Sequence, residues 1–104
     1  MPKLLAILLL LVSFAMPVSA WQVMCTAYTA YESGPVMANG MEIQEGYVAC
    51  DFLPLGTVIY LNGQRYVVGD RIGEGSDNHI DIVFNDYDSA IDFGVQYMEL
   101  EVEE

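Results

Sequence analysis

Apolar residues fall into two regimes along the chain. From Leu4 to Phe14 they are almost continuous, whereas from Trp21 onwards they come in short runs broken by glycines and by turn signals such as Gly34-Pro35, Asn39-Gly40 and Asn62-Gly63. Short apolar runs with that punctuation indicate β-rich structure. They predict strands over Gln22–Thr29, Tyr47–Asp51, Thr57–Leu61, Gln64–Gly69, Ile80–Phe84 and Val95–Val102. Asn62-Gly63 joins two of these as a hairpin, because both turn positions tolerate positive φ. Tyr31–Glu45 and Arg71–Asn78 read as loops, and Leu53-Pro54-Leu55-Gly56 as a tight connection.

Alternation assigns faces to two of the strands. Ile80, Ile82 and Phe84 share one face and leave Asp81 and Val83 on the other, as a period of two requires. Gln96, Met98, Leu100 and Val102 likewise oppose Val95, Tyr97, Glu99 and Glu101. Asp86–Phe93 is the helical segment, with Asp86 as cap, Ala90, Ile91 and Phe93 as the apolar face and Gly94 as the stop. Six strands and one short helix predict an all-β fold closed into a small barrel, which leaves no exposed edges.

The first segment reads as a secretory signal peptide over residues 1–20. Lys3 forms the basic start, Leu4–Phe14 the apolar run and Val18-Ser19-Ala20 the cleavage site. The run is shorter than the roughly 20 residues of a spanning helix and no second one follows, which excludes a polytopic membrane protein. An uncleaved anchor is the alternative. Cleavage would leave a single domain over residues 21–104, secreted or periplasmic and expected to be monomeric.

Charge removes further classes. From Trp21 onwards only Arg65 and Arg71 oppose all 15 acidic residues, and the whole chain carries a formal charge of −12. Nucleic-acid binding needs clustered Lys and Arg, and the acid excess also opposes adhesion to anionic lipid. Cys25 and Cys50 are the two cysteines, and an even count in an exported chain favours one disulfide, worth about 3 kcal/mol in the chain-entropy picture. Two reduced, buried thiols are the alternative. Met24 before Cys25 is wrong for lipid attachment, and two cysteines with one histidine, His79, make no structural zinc site. No metal or cofactor is expected.

No nucleophile elbow or phosphate loop is present. Three aspartates instead stand at or within strands: Asp51 after Tyr47–Cys50, Asp70 after Arg65–Gly69, and Asp81 amid Ile80, Ile82, Val83 and Phe84. These segments resemble a known family. Val48-Ala49-Cys50-Asp51 with Leu53-Pro54-Leu55-Gly56-Thr57, then Asp70-Arg71-Ile72-Gly73, then Asn78-His79-Ile80-Asp81-Ile82-Val83-Phe84, are similar in order and spacing to the motifs of the 3D domain, named for three aspartates. Cys25-Thr26-Ala27-Tyr28-Thr29 resembles that family's opening strand, and Ser89-Ala90-Ile91-Asp92-Phe93-Gly94 its helix.

The resemblance implies a double-psi β-barrel like that of membrane-bound lytic transglycosylases and expansin-like modules. It implies cleavage of peptidoglycan between N-acetylmuramic acid and N-acetylglucosamine, with formation of a 1,6-anhydro product. Asp81 falls on the catalytic acid/base, with Asp70 and Asp51 as companions whose like charge would raise a pKa in the site. Tyr28 and His79 are the substrate contacts it suggests, with Tyr31 just beyond. The family's basic pair before the third aspartate falls here on Ser76 and His79, and its Thr-Gly-Gly on Arg71-Ile72-Gly73. The alternative is a non-catalytic glycan-binding or wall-loosening module on the same barrel.

Overall fold

From Trp21 onwards each short apolar run predicted as a strand forms one within a residue or two of its expected bounds. The computed structural model describes residues 21–104, and the expected signal peptide lies outside the described residues. The strands are β1 (Trp21–Tyr28), β2 (Tyr47–Cys50), β3 (Val58–Leu61), β4 (Gln64–Asp70), β5 (His79–Val83) and β6 (Gln96–Val102). The β3–β4 hairpin turns on Asn62 and Gly63 at φ 49° and 86°, the left-handed pair that a two-residue loop demands. The helix α2 (Tyr87–Phe93) is capped by the Asp86 carboxylate, which accepts from the Ser89 N–H, and it ends at Gly94 with φ 63°.

A second helix, α1 (Ala30–Ser33), stands where the pattern predicts the start of the Tyr31–Glu45 loop. Its signal is Thr29-Ala30-Tyr31-Glu32: Glu32 accepts from the Thr29 N–H at 2.7 Å while the Thr29 hydroxyl accepts from the Tyr31 N–H at 3.1 Å. This is the reciprocal capping arrangement of a Thr-x-x-Glu sequence.

The strands pair in the order β1-β5-β2-β4-β3-β6, and β6 returns to β1, so the sheet closes. β1 with β5 and β2 with β4 are parallel, and the other four pairings are antiparallel. Inside lie Val23, Val48, Ile59, Leu61, Ile80 and Leu100, each fully buried and worth about 1.5–3 kcal/mol for the apolar surface it removes from water. Outside the barrel wall, Tyr28, Ala49 and Val83 form a second buried cluster with Ile43, Tyr47 and Ile72 against it. The segment after α1 is held to β4 by the Asn39 N–H, which donates to the Gly69 carbonyl at 3.0 Å. Gly69 permits this approach, because a Cβ there would stand 2.7 Å from the Tyr47 ring.

The expected Cys25–Cys50 disulfide does not form. Both side chains are free, fully buried thiols in the barrel core. The reason is topological: Cys25 on β1 and Cys50 on β2 each pair with Ile80, from opposite sides of β5. Two strand spacings separate their backbones by roughly 9 Å, beyond the roughly 7 Å that a disulfide spans.

Burial also disfavours the thiolates, raising the Cys25 pKa to about 11 and moving Cys50 upward as well. Unreduced native protein should therefore show no reactive thiol at neutral pH and two after unfolding. A thiol titration that found none after unfolding would contradict this arrangement.

Candidate functional site

β5 supplies the centre of the site because it has neighbours on both sides. Thr26 on β1 pairs with Asp81, Asp81 pairs with Ala49 on β2, and Ala49 pairs with Asp70 on β4. These four residues form one row across the barrel wall. Ile80 and Ile82 point inward, so Asp81 lies on the outer face with Val83. The small Ala49 leaves the space between Asp81 and Asp70, and Tyr28 packs over Ala49 and Val83.

The three aspartates expected in the site have three different occupations. The Asp51 carboxylate accepts from four consecutive backbone N–H groups: Ile72 and Gly73 at Oδ1 (2.8 and 3.0 Å), and Gly73, Glu74 and Gly75 at Oδ2 (3.1, 2.8 and 2.8 Å). Those donors hold its pKa down to about 2 against an ordinary 3.8, since they favour the anion. Asp51 organises the loop after β4. Asp70 is also filled: its Oδ2 accepts from the Tyr28 hydroxyl at 2.8 Å, and its Oδ1 from the Ala38 and Arg71 N–H groups at 2.8 and 2.9 Å. It braces the segment after α1 against β4.

Asp81 differs from both. Among the described residues it accepts one hydrogen bond, from the Thr26 hydroxyl to Oδ1 at 2.9 Å, which leaves Oδ2 open. Burial raises its pKa; Thr26 and His79 oppose that shift, while Glu74 and Glu32 add to it. The expected mutual repulsion of the three aspartates is thus not what acts on Asp81. Withdrawal from water comes first, and the acids that reinforce it are Glu74 in the loop and Glu32 on α1.

His79 and Tyr28, which the resemblance puts against substrate, both have partners inside the protein. His79 Nδ1 meets the Glu74 carboxylate, and its Nε2 lies 2.7 Å from Thr26 Oγ1. The Tyr28 ring is 7% exposed, and its hydroxyl pKa is pushed far up by burial and by Asp70. Thr26 and Glu74 join the site without a sequence signal of their own. The alternation that points Asp81 outward identifies no partner on a strand 55 positions away, and Glu74 is one acid of 15. Arg71, where the family motif has threonine, clamps the turn after β2: its guanidinium donates to the Cys50 and Leu53 carbonyls at 2.7 and 2.6 Å.

Aromatic surface is available at the ends of β1 and β5. Tyr31 on α1 and Tyr87 on α2 meet edge to face, with centroids 5.5 Å apart, and line an open cleft of about 450 Å³ with Thr29 and Asn85. Tyr31 is 85% exposed. Thr29 follows Tyr28 and Asn85 follows Phe84, so the cleft begins a few residues along the same two strands from the Thr26–Asp81 pair. Among the described residues no group of three or more His, Cys, Asp or Glu side chains is arranged to hold a metal ion, and no helix there is long and apolar enough to cross a membrane. Comparison with models of known protein families found no match, nor did comparison with curated proteins.

Asp51 and Asp81, whose pKa values shift in opposite directions, should respond oppositely to loss of charge. Asp51 is ionised more readily in the fold, so its contribution is present above about pH 4 and is lost as the pH falls towards 2. Asp51→Ala should cost about 1–2 kcal/mol at pH 7, with water taking up part of the freed loop N–H groups. The deficit should shrink in acid. Asp81 is harder to ionise in the fold, so its charge lowers stability as the pH rises from 3.8 through the raised value. Asp81→Asn keeps the Thr26 hydrogen bond and should raise the Tm at pH 7 by a few degrees, about 0.5–1 kcal/mol. Thermal melts of both variants from pH 3 to 8 check the signs.

Proposed function

We propose that this chain is an exported glycan-cleaving protein of the lytic transglycosylase type, acting on peptidoglycan strands with Asp81 as the general acid/base. The observation that carries the reading is the division of labour among the aspartates. Asp51 and Asp70 are engaged by protein donors at both oxygens, and of the three Asp81 alone has an open carboxyl oxygen together with burial that favours its protonated form. Glycoside hydrolases need two free carboxyl groups at set separations. A transglycosylase needs one.

In this mechanism protonated Asp81 gives its proton to the glycosidic oxygen as the bond to C1 of the muramyl residue breaks. The muramyl C6 hydroxyl then attacks C1, and the Asp81 carboxylate takes up the hydroxyl proton, which closes the 1,6-anhydro ring and restores the acid. The Tyr31–Tyr87 cleft offers flat apolar surface for a sugar ring. The double-psi topology suggested by the motifs is supported by two parallel pairings between strands not adjacent in sequence, β1 with β5 and β2 with β4.

The second reading, a glycan-binding module without turnover, is favoured by one feature: Arg71 is spent on the turn after β2, so among the described residues no Lys or Arg stands free beside Asp81. Product analysis separates the two. Digestion of purified sacculi should release anhydromuropeptides, and Asp81→Asn should lower the rate by about 10²-fold or more. Binding with no anhydro product would establish the module instead. Tyr31→Ala and Tyr87→Ala should each weaken glycan binding several-fold without altering the fold.

A further inference from the structure

Four side chains form a continuous hydrogen-bonded line into the open carboxyl group. Glu74 meets His79 Nδ1, His79 Nε2 lies 2.7 Å from Thr26 Oγ1, and Thr26 Oγ1 lies 2.9 Å from Asp81 Oδ1. The loop that presents Glu74 is fixed by Asp51, whose carboxylate accepts from the Glu74 N–H at 2.8 Å. The His79 side chain is 12% exposed, which limits the access of water to its ring.

We propose that His79 is a positioning residue that stores one proton for Asp81, exchanged through the Thr26 hydroxyl and held in register by Glu74. The inference rests on the acid/base role proposed above for Asp81.

Donor and acceptor counting yields the relay. Thr26 has one hydroxyl proton, and a carboxylate only accepts. If the hydroxyl donates to Asp81, Oγ1 must accept from His79 Nε2–H while Nδ1–H donates to Glu74; the ring is then imidazolium and Asp81 is ionised. If the hydroxyl turns to donate to Nε2, Asp81 Oδ1 must carry a proton and donate it to Thr26. Both arrangements hold the same number of protons.

Conversion between them breaks the Nε2–H bond as Oγ1 takes that proton, while the proton already on Oγ1 passes to Oδ1. The electron pair of the broken bond stays on Nε2, and nothing enters or leaves the site. Two separated charges become two neutral groups. A glycan that covers Asp81 expels water, which favours the neutral arrangement; substrate binding thus protonates Oδ1, and a half-turn of the carboxyl group about its Cβ–Cγ bond brings that O–H to the open side that Oδ2 had occupied. The charged groups around Asp81 are His79 on its own strand, Glu74 on the loop and Glu32 on α1. Asp70, on the far side of Ala49, is engaged by Tyr28.

The test is a paired titration by NMR on the substrate-free protein, following the Asp81 carboxyl carbon and the His79 ring nitrogens. In the wild type the two sets of signals should move over a shared pH interval, and Thr26→Ser should keep that coupling. Thr26→Val should uncouple them and raise the Asp81 midpoint by about one pH unit, because the carboxylate loses its donor. His79→Gln should also raise that midpoint, and amide spectra establish that each variant is folded. Independent titration in the wild type, or Thr26→Val and His79→Gln that leave Asp81 unchanged, would overturn the relay. If Thr26→Val does not fold, Thr26→Ser and His79→Gln still decide the matter. Coupled titration in a chain that releases no anhydro product would keep the relay and remove the function. Release of product with independent titrations would do the reverse.

Discussion

β5 is held on both sides, parallel to β1 and antiparallel to β2, and the rest of the molecule is arranged around that constraint. Ile80 and Ile82 anchor it in the barrel interior, which leaves Asp81 no choice but the outer face. A slip of one residue would drive the carboxyl group into the core and both isoleucines out of it. The two pairings together place Thr26 on one side of Asp81 and Ala49 on the other, one a hydroxyl donor and the other small enough to leave space. The same strand separates the cysteines, so one element both builds the site and rules out the crosslink.

A chain with 15 acids and two arginines after Trp21 has to find partners for its carboxylates without cations. It uses backbone N–H groups and hydroxyls. Asp51 gathers the loop after β4, Asp70 ties the segment after α1 to the barrel, Asp86 and Glu32 cap helices, and Glu45 accepts from the Asn85 N–H. Each such contact lowers the cost of a negative charge through oriented dipoles, in place of a countercharge. Asp81 has one donor and is withdrawn from water. Its weaker satisfaction makes its ionised form costly and lowers stability near neutral pH.

Much of the fold was legible because it is local. The alternation in Ile80–Phe84 gave the inward and outward faces correctly, Asn62-Gly63 gave the hairpin, and Asp86 with Gly94 bounded α2. The Thr29–Glu32 capping box is equally local, but a one-turn helix has no apolar periodicity to mark it in the sequence. Of the site, the sequence pointed to Asp81 through its apolar neighbours and its motif. It set Asp70 and Asp51 beside Asp81 as companions in one site, since residue type carries no record of how many donors a carboxylate will meet.

What the sequence determined by itself is what depends on neighbours within a few positions: strand faces, turns, helix caps and the excess of negative charge. The tertiary structure alone decided what depends on which strands lie side by side. Thr26 meets Asp81 across 55 positions and Tyr28 meets Asp70 across 42, while Cys25 and Cys50, only 25 apart, are kept from each other by β5. Chain separation does not set spatial separation in a closed sheet with parallel crossings; strand order does, and strand order is settled only when all six strands bury their apolar faces together.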